Sequence, residues 1–286
     1  MKQIEFEENS QLETIGRTCF SYGEFEYIKF PSKLKSIGPE LFNQAHIKTC
    51  EFDENCPLKV IPNSTFNCTS LKTISLPKDL FSFERNWASY TKITQIDIPP
   101  TNPYLTYIDI QHKIIAGKTD PQSPVFDLLI YACRDVQNAN IPASIRHISS
   151  YAFQGCKNLQ TLQFAAGSSI NTLGDRCFCE CESLLHVSLP AGLQKYGEFI
   201  FRECESLQTF DFLDREIYID IEFFGGCRNL NVINCPNATK IIYDKGSFKH
   251  IGPNFVINRP QNAIFSDDNS IENDRFRHDY KFWLEY

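Results

Sequence analysis

One stretch recurs along this chain and limits what it can fold into. Ile145 to Phe164 reads IRHISSYAFQGCKNLQTLQF, Ile170 to Leu189 reads INTLGDRCFCECESLLHVSL, and Leu193 to Phe212 reads LQKYGEFIFRECESLQTFDF. Each copy runs apolar, two spacers, apolar, four spacers, Phe, two spacers, Cys, two spacers, Leu. A unit this short cannot bury its apolar face alone. Copies must stack, and the core then grows along one axis.

The aromatic residue is the marker of each copy. Phe20, Phe42 and Phe66 mark three early repeats, and Phe153, Phe178, Phe201 and Phe224 mark four later ones. An apolar residue, or Tyr196, stands five places before each: Ile15, Ile37, Ile61, Ile148, Leu173, Tyr196 and Ile219. After each Phe comes apolar-x-x-apolar-x-apolar, as in Leu71, Ile74, Leu76 and Leu159, Leu162, Phe164. Alternation of period two predicts a half-buried strand. The pattern therefore predicts a repeat solenoid with a parallel β-sheet on one face and short helical or irregular arcs on the other. From Phe to the next strand is five residues in the early repeats and six in the later ones, so the early arcs should be tighter. Several strands stop at a proline (Pro31, Pro77, Pro99, Pro190, Pro236), which has no N–H to offer a ladder.

The organisation divides into early repeats over 1–98, an insertion over 99–144, later repeats over 145–236, and a degenerate repeat with a cap or tail over 237–286. In the last early repeat Ala88 sits where Phe belongs. In the insertion, YLTYIDIQHKIIAG and VFDLLIYAC read as two strands of a β-hairpin joined by KTDPQSP, whose Pro, Asp and Ser form turns. After Pro236 the register is lost. The end, with Phe276, Tyr280, Phe282 and Trp283, reads as a cap over the last repeat or as a disordered tail.

Composition removes several function classes. The net charge of −7 and scattered Lys and Arg give no basic stripe for nucleic acid. No stretch approaches the roughly 18 apolar residues of a membrane span, and the start, MKQIEFEENSQLETIG, is no signal peptide. Of twelve Cys, Cys156, Cys181, Cys204 and Cys227 hold one position of successive repeats, and Cys68 takes the related place three before Leu71. Such spacing predicts a buried column of free thiols. Many free thiols and no leader lead to a cytoplasmic expectation. Met1, Ile4 and Phe6 share the register of Phe25, Ile28 and Phe30, so the chain opens inside a strand. An end without a cap offers a surface for end-to-end self-association.

YAFQGCKNLQTL from Tyr151, with Leu189-Pro190 closing the next repeat, resembles the BspA-type leucine-rich repeat, the 23-residue or treponemal class. The resemblance covers most of Met1 to Pro236. It implies a leucine-rich repeat solenoid with a parallel sheet as binding face, interrupted by a hairpin that is similar to one found between repeats in the family. Asp109-Ile110 here replaces that hairpin's Asp-Gly. The resemblance also implies surface display and adhesion to host or matrix proteins, a cell-surface alternative to the cytoplasmic expectation.

Reaction chemistry is not legible. No catalytic residue, cofactor site or metal site is expected. Cys177, Cys179 and Cys181 make the most metal-like group, but two of the three are explained by the repeat and no second pair follows. Sequons at Asn63, Asn67 and Asn237 matter only in an exported chain. What remains is the outward side of the strands. Its first row is Tyr27, Thr49, Thr73, Gln95, Thr161, His186, Thr209 and Val232. Its second is Lys29, Glu51, Ser75, Asp97, Gln163, Ser188, Asp211 and Asn234. The expectation is a non-enzymatic module that binds an unidentified protein through these residues, with a surface adhesin as the alternative.

Overall fold

Each turn of the chain carries two strands rather than one. The computed structural model describes residues 2–244, 246–253 and 255–267, and these fall into two units that divide after Phe126. In the first unit the front strands are Gln3–Glu5, Tyr27–Phe30, Thr49–Phe52, Thr73–Ser75 and Gln95–Asp97, parallel and in chain order. Their register aligns Ile4, Ile28, Cys50, Ile74 and Ile96 in one inward column, and the last four of these are buried. Phe6 stacks on Phe30 at 6.1 Å, which continues the inward pattern. Met1, which the sequence places in the same register, lies outside the described residues.

The second strand of each turn was not legible beforehand. It is short and ends on the apolar residue five places before the marker: Thr14–Ile15, Ser36–Ile37 and Val60–Ile61. Ser82–Phe83 completes the set by pairing in parallel with Val60–Ile61. Two bonded residues suffice here because Ile37 and Ile61 also point into the core.

The arcs are not helical, and no helix occurs among the described residues. They are nevertheless regular. In every arc from Phe20 to Phe224 the residues two before and two after the marker have positive φ: Glu40 and Gln44 around Phe42, Arg176 and Glu180 around Phe178. A left-handed residue on either side of Phe interrupts any α-helix. Each costs a non-glycine residue roughly 1–2 kcal/mol. The compensation is a ladder between arcs. The N–H groups of Glu40, Phe42 and Gln44 donate to the carbonyls of Asn63, Thr65 and Asn67 at 3.0, 2.9 and 3.1 Å. Those of Arg176, Phe178 and Glu180 reach Glu198, Ile200 and Arg202 at 2.9, 3.1 and 2.8 Å. Bonds worth roughly 1 kcal/mol each, together with ring stacking, offset the strain. The rings stack at 5.2 Å for Phe42 and Phe66 and at 5.1 Å for Phe178 and Phe201. Where Ala88 replaces Phe, Trp87 supplies the ring, 6.3 Å from Phe66.

Within YLTYIDIQHKIIAG the chain doubles back. Thr106–Tyr107 pairs antiparallel with Ile114–Gly117, and the Asp109 carboxylate accepts the N–H groups of Gln111, Lys113 and Ile114 across the turn. Leu128–Ala132 begins the second unit and pairs in parallel with His147–Ile148. The front strands of this unit are Asn138–Ile141, Thr161–Phe164, His186–Leu189, Thr209–Phe212, Val232–Asn234 and Val256–Asn258. The register expected to fail after Pro236 continues instead. Val256–Asn258 pairs with Val232–Asn234, Lys240–Tyr243 pairs with Glu216–Ile219, and Phe248 stacks on Phe224 at 6.3 Å. Residue 248 was missed because Ile251-Gly252-Pro253 mimics Ile37-Gly38-Pro39 while falling after the ring instead of before it. The aromatic end at Phe276 to Trp283 lies outside the described residues.

The thiol column needs one correction. Cys156, Cys181, Cys204 and Cys227 are buried and unpaired, but Cys68 is exposed. Counting back from the strand misplaced it, because the early arcs are one residue shorter. Thr69 holds the buried place three after the ring, with its hydroxyl on the Phe66 carbonyl at 2.9 Å. In the later repeats the thiol donates to the carbonyl of the preceding marker: Cys204 to Phe178 at 3.2 Å and Cys227 to Phe201 at 3.1 Å. Burial pushes both thiols well above their usual range.

Candidate protein-binding face

The front strands set the geometry of the outward face. Parallel pairing without slippage puts equivalent residues in straight rows, each step about 4.8 Å from the next. In the first unit one row runs Gln3, Tyr27, Thr49, Thr73, Gln95, and the other Glu5, Lys29, Glu51, Ser75, Asp97. Every row member from Tyr27 on is exposed or half-buried, and every residue between the rows is buried. In the second unit Thr161 and Gln163 sit beside Asn138 and Asn140. His186, Thr209, Val232 and Val256 form one row, and Ser188, Asp211, Asn234 and Asn258 the other. All sixteen residues expected on this side therefore point outward. Gln3, Glu5, Asn138, Asn140, Val256 and Asn258 extend the rows. The first two belong to a strand already recognised at Ile4, whereas Asn138 was hidden in the insertion and Val256 in the lost register.

The rows carry different chemistry. In the first unit Tyr27 donates its hydroxyl to Glu51 at 3.0 Å. Partial burial, then that carboxylate, push the phenol up to about 12. In the second unit an amide ladder forms. Asn258 donates to Asn234 at 2.9 Å and Asn234 to Asp211 at 2.7 Å, and the His186 ring lies 3.5 Å from Asp211. His186 Nδ1 also meets Thr209 Oγ1 at 2.7 Å. Thr, His and Asp so placed could be mistaken for a catalytic set. The same contact recurs at 2.7 Å between His147 and Thr172 on the second strands, so it is what His opposite Thr does on neighbouring parallel strands. Cys177, Cys179 and Cys181 are all buried in one arc. Among the described residues no group of three His, Cys, Asp or Glu is placed to hold a metal ion, and no helix is long and apolar enough to cross a membrane.

Stacked parallel strands with inward columns and arcs of fixed length define a leucine-rich-repeat solenoid in each unit. The sequence profile of the BspA type leucine rich repeat region matches residues 1–109 and 128–251, in six copies. The chain belongs to the BspA-type leucine-rich repeat family. Among solved structures, a leucine-rich repeat protein from Eubacterium ventriosum is similar at 18% identity and a TM-score of 0.72, covering 90% of this chain and 67% of that one. The pneumococcal vaccine antigen PcpA is similar at 18% identity and a TM-score of 0.64, covering 91% and 77%. A leucine rich cell surface protein from Faecalibacterium prausnitzii is similar at 19% identity and a TM-score of 0.54, covering 82% and 72%. At these identities the likeness is one of fold. No curated protein sequence matches the chain.

Proposed function

We propose that this chain is a non-enzymatic binding module that seats a protein partner on its front strand faces. The observation that carries the reading is the pair of outward rows on the front strands, continuous through five strands of the first unit and four of the second, held in register by the backbone and by contacts such as Tyr27–Glu51 and Asn234–Asp211. A surface fixed in this way loses little freedom on binding. The rows are polar and carry Glu51, Asp97 and Asp211, which suits a partner whose matching surface is polar and cationic. The experiment is capture from the source cells with the chain carrying Glu51→Lys, Asp97→Lys and Asp211→Lys, compared with the unaltered chain at equal thermal stability. The expected result is at least about a tenfold loss of the captured partner, or about 1.4 kcal/mol. Unchanged capture removes the strand face as the site. It moves attention to the hairpin turn, where Ile110 is 99% exposed.

A second reading is a cell-surface adhesin binding host or matrix proteins. It is favoured by the fold shared with a pneumococcal vaccine antigen and with a protein described as a cell surface protein. Labelling of intact source cells with a membrane-impermeant reagent tests it. Labelled chain supports the adhesin, and recovery confined to the cytosolic fraction eliminates it.

A further inference from the structure

The left-handed place two residues after the ring carries different residues in the two units. In the first unit it holds Tyr22, Gln44, Cys68 and Tyr90, the last of them two after Ala88; in the second it holds Gly155 and Gly226 in two of its arcs. Glycine takes this conformation freely. A bulky residue takes it against steric resistance. The arc requires the left-handed turn, but it does not require Tyr there. A residue that the fold keeps in a costly conformation points to a use beyond the fold.

Other aromatic residues in left-handed places are covered. Phe199 carries the Arg176 guanidinium over its ring at 4.1 Å and Arg202 at 5.8 Å, and Tyr151 is half-buried. Tyr22, at φ 60°, is 66% exposed, and Tyr90, at φ 57°, is 49% exposed.

The two tyrosines stand on one ridge of the first unit. The N–H groups of Tyr22, Gln44 and Cys68 donate to the carbonyls of Asn43, Asn67 and Ser89 at 3.0, 3.1 and 3.0 Å. Tyr22 and Tyr90 are therefore three ladder steps apart, or about 14 Å at the spacing of paired strands. The two turns between them carry a line of amides. Ser89 Oγ donates to Asn67 Oδ1 at 2.8 Å, and Asn67 Nδ2 to Asn43 Oδ1 at 3.4 Å. Asn43 and Asn67 are half-buried, so each keeps part of its surface in water. On the same arcs Arg17 pairs with Glu40 at 2.6 Å, which balances both charges.

We propose that this ridge binds a neutral, extended glycan, with Tyr22 and Tyr90 each stacking on one sugar ring and Asn43 and Asn67 bonding hydroxyl or acetamido groups of the rings between. The C–H face of a pyranose is weakly positive and suits the negative face of an aromatic ring. An amide offers a hydroxyl both a donor and an acceptor. The separation of the rings calls for a chain, since one sugar cannot reach both. A proline-rich peptide also seeks aromatic side chains, but it docks in a groove lined by them, and here amides occupy the space between the two rings. The site lies on the arcs and is separate from the front strand face.

Calorimetric titration of the full-length chain with six-sugar oligomers of glucose and of N-acetylglucosamine, and with the two monosaccharides, tests this. Saturable binding of at least one oligomer is expected, with its monosaccharide at least about tenfold weaker. Tyr22→Gly and Tyr90→Gly should each weaken the oligomer at least about tenfold, while Tm stays level or rises because glycine relieves the left-handed cost. Glu180→Gly, at the equivalent place of the second unit, should leave binding unchanged. No saturable binding of either oligomer overturns the proposal, and so does binding that ignores both tyrosine variants. A fall in Tm in both variants would mean that the rings brace the arcs, and overturns it as well. Binding of a ten-residue polyproline peptide in place of the oligomers would make the ridge a peptide site instead.

Discussion

The two units solve the same arc with different lengths, and the difference falls on one buried position. In the first unit the place three after the ring holds Gly23, Ala45, Thr69 and Thr91, and the strand follows at once. In the second it holds Cys156, Cys181, Cys204 and Cys227, and one more residue follows. That residue closes a further turn: the N–H groups of Leu159, Leu184, Leu207 and Leu230 return to the carbonyls of the four cysteines at 3.0–3.1 Å. The ring stack and the left-handed pair are common to both units. The ring and the backbone ladder are thus the fixed device. The side chain below the ring is a filler whose size and polarity follow arc length.

The largest effect should come from removing the shared device. Phe42→Ala and Phe178→Ala are each expected to cost about 3–5 kcal/mol in denaturant unfolding. A loss at one site less than half that at the other would break the equivalence of the two stacks.

Glycine positions should next separate the interior of a stack from its first turn, in both units, since a Cβ on Gly38 would lie 2.4 Å from the Arg17 backbone nitrogen. A Cβ on Gly174 would lie 2.3 Å from the Ser150 backbone nitrogen, whereas one on Gly16 would meet nothing within 4 Å. Gly174→Ala should cost about 1–3 kcal/mol, and Gly16→Ala should be neutral or stabilising by roughly 0.5 kcal/mol. Thermal unfolding of the two variants checks this.

The filler should show itself in pH dependence. Burial holds Cys204 and Cys227 well above the ordinary thiol value of 9.0. Thiols raised in the folded state favour it fully below pH 9. Above that, the unfolded chain loses its protons first and stability falls, by up to about 1.4 kcal/mol per pH unit for each thiol. The second unit should therefore lose amide protection earlier than the first between pH 9 and 11. Native thiol labelling sharpens the point, because only Cys19 and Cys68, both in the first unit, are exposed. Reaction of Cys204 without unfolding would contradict the buried column.

The smallest effects belong to the face itself. Tyr27→Phe removes one outward contact and Asn234→Ala two, and each should change stability by less than about 0.5 kcal/mol. A larger loss at Asn234 would mean that the amide ladder holds the second unit together.

Much of this was legible because a repeat multiplies weak signals. One Phe in a loop says little, but Phe153, Phe178 and Phe201 at a fixed distance from alternating apolar residues define turn, strand and face together. The sixteen outward residues followed from alternation alone. Where a signal was single, reading failed. Trp87 one place early, Phe248 beyond the apparent end and Cys68 one place off the column each needed neighbouring turns to locate them.

By itself the sequence determined the stack, the strand register and the identity of the inward column, because a two-residue period with one face buried admits only one register. The tertiary structure decided the form of the arcs. Left-handed residues such as Glu40 and Arg176 carry no glycine to announce them. They are tolerated only because a following turn presents carbonyls at the right height. That bond is made between residues more than twenty apart, and no local pattern can contain it.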